Sequence, residues 1–181
     1  MAIPLYRDPS ATIYGDVRFG DGSSFWPHSC ARAEMRHITV GRFTNIQDFV
    51  MLHIGVEHPT LVGDYCSIAH HVTLHGCTIE DDCLIGINAT IMDGCVVGRG
   101  SIVAGHTLLR EGTIVPPGSI VMGAPGKVVR SHDATRANLI NALLYHRNAQ
   151  AYAQGSHRAW ENLDFTAIEA EADRIIRSRE S

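Results

Sequence analysis

The chain has 181 residues, 45% of them hydrophobic, and a formal net charge of -4. That is enough for one domain with a sizeable core, and it gives no electrostatic case for nucleic acid or an anionic membrane surface. No apolar run approaches the roughly 20 residues of a membrane span, and Met1 to Asp8 lacks the basic start and apolar middle of a secretory signal, so a cytoplasmic protein is expected.

A six-residue repeat begins near the start. Ile13, Phe19, Phe25 and Ala31 follow one another at steps of six, as do Val40, Ile46 and Leu52, and then Val62, Ile68 and Leu74. The longest block is Ile79, Ile85, Ile91, Val97, Val103 and Leu109, with Ile114 and Ile120 expected to resume it after a one-residue slip. Four residues after each aliphatic the side chain is small or β-branched, as at Val17, Ser29, Thr44, Cys66, Cys83 and Cys95. Such a unit does not fit a helix of period 3.6. It suits a short strand and a turn, with the aliphatic pointing into a narrow prism. Three units make a coil of about 18 residues, and coils stack at the β spacing of about 4.8 Å. Each coil buries its apolar residues only against its neighbours. The expected fold is therefore an all-β solenoid over residues 8–131. The five cysteines form no CxxC pair, and those in the small-residue column read as packing groups rather than thiolate ligands.

The repeat breaks twice. Nine residues separate Ala31 from Val40, leaving room for Glu34, Met35 and Arg36, and ten separate Leu52 from Val62, where Gly55 to Pro59 should form a protruding loop. Insertions of this kind sit on the functional face of solenoids. From Asp133, Leu139, Ile140, Leu143, Leu144 and Tyr145 fall on one face at helical spacing, and Trp160, Leu163, Ile168, Ile175 and Ile176 suggest a second helix. Residues 132–181 are expected as a helical extension that packs along the outside of the prism and covers an edge of its sheets.

His53 follows Leu52 and His75 follows Leu74, 22 residues apart. Removing the four inserted loop residues leaves one coil, so the two imidazoles should stack on one face. His70 lies on another side of the same coil. A rigid coil keeps it from the other two, but a neighbouring copy in a head-to-tail ring does not. Three faces make a homotrimer the natural ring. Three histidines with one open position are the zinc arrangement of a catalytic site, where the metal brings the ionisation of bound water to near neutral pH.

Asn45-Ile46-Gln47-Asp48, Met51-Leu52-His53 and Ala69-His70-His71-Val72-Thr73-Leu74-His75 resemble the gamma-class carbonic anhydrase family of left-handed parallel β-helix proteins. The resemblance implies a homotrimer that hydrates CO2 reversibly to bicarbonate. It implies zinc, or iron or cobalt, between subunits on His53, His70 and His75. Gln47 falls on a residue near the metal-bound water, and Arg32 and Asp48 on a cross-subunit ion pair. Where the family has Arg-Gly-Asp this chain has Arg32-Ala33-Glu34, so Glu34 supplies a longer carboxylate. The long acidic loop of some members is short here, and Glu57 is the loop's candidate for carrying protons. The alternatives are an acyltransferase or thioesterase acting on coenzyme A esters, with His106 as general base, and a metal-binding trimer with little turnover.

Overall fold

The six-residue period becomes a three-sided prism in the computed structural model, which describes residues 4–180. The first face stacks β1 (Tyr6–Arg7), β3 (Ser24–Phe25), β5 (Asn45–Ile46), β8 (Ser67–Ile68), β11 (Leu84–Ile85), β14 (Ile102–Val103) and β17 (Ser119–Gly123) in parallel, and antiparallel β18 (Gly126–Ser131) ends it. The second carries β6 (Met51–His53), β9 (Thr73–His75), β12 (Thr90–Ile91) and β15 (Leu108–Leu109). The third carries β7 (Thr60–Val62), β10 (Thr78–Ile79), β13 (Val96–Val97) and β16 (Ile114–Val115). The early strands β2 (Thr12–Phe19) and β4 (Cys30–Val40) run from the second face onto the third without a break. Residues 34–36, the first expected interruption, lie on this continuous β4, and all three are exposed.

Register explains the burial. Ile79 pairs with Val97 and Ile85 with Val103, one 18-residue coil apart. The column Ile46, Leu52, Ile68, Leu74, Ile79, Ile85 and Ile91 is fully buried along the prism axis. Each such side chain contributes about 1.5–3 kcal/mol. The small column, from Ser23 and Ser29 to Ser101 and Thr107, is buried with it. One expectation fails at the end of the repeat. There is no slip after Leu109: the inward residues are Val115 and Val121, 2% and 1% exposed, whereas Ile114 is 64% exposed. In a two-residue strand only one side chain can point inward, and the unbroken step of six selects the second.

Two corners of the prism are turned by non-glycine residues in the left-handed region. Phe43, Tyr65 and Asp82 form one column and His28, Phe49, His71, Asn88 and His106 the other. Stacking accompanies that strain: Phe43 lies on Tyr65 at 4.9 Å, and Phe49 is sandwiched between His28 and His71 at 5.0 and 4.8 Å.

Helix α1 (Thr135–Ala153) packs on the outside of the prism, across its first face. Its amides reach backbone that the prism leaves open: Asn138 Nδ2 donates to the carbonyls of Asp82 at 2.8 Å and Ser101 at 3.1 Å. Leu139 and Leu143 pack on Tyr65, Ile168 and Ala172, which brings in α2 (Phe165–Glu180). The second helix starts later than its apolar pattern suggests. Asp164 caps it by accepting from the Ala167 N–H at 3.0 Å, so Trp160 and Leu163 precede it. Near its end, Arg179 Nη1 donates to Asp82 Oδ2 at 2.8 Å. The side chain of Asp82 is completely buried. No helix of the described residues is long and apolar enough to cross a membrane.

Candidate metal centre

Strand pairing sets the geometry. β6 and β9 are in register with His53 opposite His75, and both side chains leave the outer face of the prism. Their ring centroids are 5.0 Å apart at an interplanar angle of 55°. His75 Nδ1 lies 2.6 Å from Asp93 Oδ2, and His53 Nε2 lies 3.2 Å from Glu34 Oε2. Burial works to raise the Glu34 carboxyl, but its own backbone N–H, Arg32 and His53 outweigh that and hold it below the usual range.

His70 stands in the turn between β8 and β9, at the opposite end of β9 from His75. Its Nδ1 is 3.0 Å from Asp48 Oδ2. Among the described residues, no group of three or more histidine, cysteine, aspartate or glutamate side chains forms a metal cluster within one chain. The chain thus brings His53 and His75 together and leaves His70 apart.

The remaining expected residues divide. Gln47 is 3% exposed and donates from Nε2 to Asn45 Oδ1 at 2.9 Å. Asn45 donates to Ser67 Oγ at 3.0 Å, and Ser67 donates to Asn141 of α1 at 2.7 Å. This amide chain floors a groove of about 400 Å³ between prism and helix, lined by Gln47, His70, Leu84, Ile87, Asn141 and Tyr145. Burial pushes the Tyr145 phenol up to about 12, so it stays protonated. Glu57 is on the inserted loop, its side chain 78% exposed, and faces Arg36 at 3.9 Å. Arg32 pairs with Glu34, and Asp48 with His70, so both residues of the expected cross-subunit pair have partners in their own chain. His106 is exposed at a left-handed corner, its N–H donating to the Ile87 carbonyl at 2.9 Å.

Asp93 and Tyr145 were not among the expected site residues. Asp93 lies 18 residues after His75, so the spacing that pairs the histidines also finds it. Helical spacing puts Tyr145 on the apolar face of α1, but its place in this groove depends on how α1 docks.

A family model described as bacterial transferase hexapeptide (six repeats) matches residues 76–111. A Methanocaldococcus jannaschii protein named "Probable carbonic anhydrase" is 52% identical over 137 residues, covering 75% of this chain and 86% of the relative. The chain belongs to the gamma-class carbonic anhydrase family. Gamma carbonic anhydrase 2, mitochondrial, of Arabidopsis thaliana is 36% identical over 88% of this chain, which spans 60% of the plant protein's length. Among solved structures, a Bacillus cereus protein put forward as an acetyltransferase has a TM-score of 0.76 at 30% identity, covering 84% of this chain and 93% of that one.

Membership of the gamma carbonic anhydrase family implies a metal cofactor, and the donor set fits one. A carboxylate lies at Nδ1 of His70 and of His75, the arrangement that turns Nε2 of an imidazole toward a ligand. The imidazoles of His53 and His75 on adjacent strands are nitrogen donors of the kind that transition metals favour.

Proposed function

We propose that the protein catalyses reversible hydration of CO2 to bicarbonate at a metal shared between protomers of a homotrimer. His53 and His75 of one protomer and His70 of the next would hold zinc, with iron or cobalt able to replace it. The observation that carries this reading is the in-register His53–His75 pair with His70 left at the far end of β9. A three-residue strand spans roughly 10 Å, so a second copy is the simplest source of the third imidazole. A head-to-tail contact of that kind closes into a ring.

When bound, the metal supplies the Lewis acidity that brings the ionisation of water to near neutral pH. The chain's own residues do the rest. Gln47, fixed by Asn45, presents a rigid amide beside His70 that orients a reactant. Tyr145, Leu84 and Ile87 wall the approach and limit water in it. Glu34, held ionised beside His53, accepts a proton within the site. Glu57, exposed on the inserted loop, passes protons to solvent.

The test is metal content per chain with oligomer mass, followed by CO2 hydration. About one metal per chain in a trimer is expected, with metal and hydration both lost in His70→Ala. Mixing His70→Ala and His75→Ala chains by unfolding and refolding should restore part of both, because some interfaces then receive all three ligands. No recovery on mixing counts against a shared site. Metal without turnover would point to the binding trimer instead. The second reading, acyl transfer from coenzyme A esters, is favoured by the solved neighbour put forward as an acetyltransferase. It requires activity that survives metal stripping and disappears in His106→Ala.

A further inference from the structure

We infer that Asp93 is a positioning residue for His75: its carboxylate fixes the imidazole with the proton on Nδ1 and the lone pair on Nε2. The inference rests on the metal reading given above. Asp93 lies in the turn between β12 and β13, one coil beyond His75, and its Oδ2 is 2.6 Å from His75 Nδ1. That distance is at the short end for a nitrogen donor and marks a strong contact. An ionised carboxylate only accepts, so the contact dictates which nitrogen carries the proton. An imidazole held in this way is a more basic ligand with a fixed ring orientation.

The surrounding backbone is shaped to admit the carboxylate. A Cβ on Gly55 would fall 1.8 Å from Asp93 Oδ1, and one on Gly76 would fall 2.5 Å from the same atom. Gly55 opens the inserted loop just after His53, and Gly76 follows His75 directly. Two successive turns therefore leave out a side chain where the carboxylate sits. Backbone bonds tie the same three turns together: Gly94 N–H donates to the Gly76 carbonyl at 2.8 Å, and Gly76 N–H to the His53 carbonyl at 3.1 Å. Glu34 is the contrast. It meets His53 at Nε2 rather than Nδ1, at 3.2 Å, and its side chain is 44% exposed. It does not orient its histidine as Asp93 orients His75.

The experiment compares wild type, Asp93→Ala, Asp93→Asn, Gly55→Ala and His75→Ala, all as the full chain with the oligomer mass and circular dichroism checked. Zinc affinity is read by chelator competition. Separately, the His75 tautomer is read in metal-free protein from nitrogen-15 chemical shifts at a pH where the ring is neutral, with His75→Ala identifying the signal. Wild type should show the Nδ1–H form. Asp93→Ala should lose it, and all three Asp93 and Gly55 variants should bind zinc about 10–100-fold more weakly. Gly55→Ala is the sharpest arm, since it evicts the carboxylate without altering Asp93. If Asp93→Ala keeps the Nδ1–H form and binds zinc within threefold of wild type, Asp93 does not position His75. If wild type and His75→Ala bind zinc equally, the metal reading itself falls and the role of Asp93 with it.

Discussion

Replacing Arg179 with methionine should uncouple α2 from the prism. Asp82 is fully buried, and its Oδ2 is 2.8 Å from Arg179 Nη1 and 3.5 Å from Arg99 Nη1. Its Oδ1 has no hydrogen-bond partner among the described residues. Desolvation raises its carboxyl, and the two guanidinium groups only partly offset this. Removing one partner of a buried pair costs about 3–5 kcal/mol. Arg99 remains, and the Arg179 side chain is itself 29% exposed, so about 2–3 kcal/mol is expected for Arg179→Met. For a chain of this size that is a fall in melting temperature of about 4–12 °C. The assay is urea and thermal unfolding at fixed protein concentration, since assembly contributes to apparent stability. Asp82→Asn combined with Arg179→Met should cost less than the sum of the two single changes, because the stranded charge is gone. A single-variant cost under about 0.5 kcal/mol, or strict additivity, would refute the claim that this buried pair anchors the helix.

Leu74→Ala removes three carbons from a fully buried side chain aligned with Leu52 and Ile91. At about 0.8 kcal/mol per carbon plus a cavity, about 3–4 kcal/mol is expected. Ile114→Ala, at a position 64% exposed, should stay within about 0.5 kcal/mol in the same unfolding assay. The His146 imidazole is held below its ordinary value by burial, which outweighs its bond to the Gly22 carbonyl. The unfolded chain then takes up a proton near pH 6.5 that the folded chain refuses. Stability should be full above that pH and fall as the pH drops through it, and melts across pH should show a shallower slope for His146→Phe. Zinc at about a thousand times its dissociation constant should add about 4 kcal/mol to wild-type stability and nothing to His70→Ala, as read by melts with and without chelator.

The prism was legible because its core has one dominant period. An aliphatic every six residues and a small residue four later leave no other regular arrangement, and the same arithmetic brought His53 beside His75. It went wrong where two apolar residues stood side by side. Ile114 and Val115 both suit an inward place, and hydrophobicity alone favoured the wrong one. The second helix starts later than its apolar set suggests for a similar reason: Trp160 sits in a separate 3-10 turn (Ala159–Asn162), Leu163 follows it, and the capping carboxylate of Asp164 marks the start of α2. The polar parts of the candidate site carry no periodic signal. Asn45, Ser67 and Asn141 form one chain of hydrogen bonds across 96 residues of sequence, and nothing in their spacing reveals it. Glu34 and Glu57 both sit within breaks of the repeat, yet of the two Glu34 is the one that meets an imidazole.

Helix α1 and the stack beneath it share a common measure. An α-helix rises about 1.5 Å per residue and coils repeat at about 4.8 Å, so about 3.2 residues of helix pass each coil. The anchors keep that pace: Asn138 bonds Asp82 just before β11, Asn141 bonds Ser67 on β8, His146 packs on Phe43 just before β5, and Tyr152 meets Tyr6 on β1. From Asn138 to Tyr152 the helix climbs about 21 Å, against about 19 Å for the four coil steps from β11 to β1. Helix and prism work as a matched vernier, in which every turn meets its own coil. Their lengths can change only together. A coil duplicated between β5 and β11 would need about three residues added to α1, and a single residue inserted after Asn141 would swing every later anchor off its coil by about 100°.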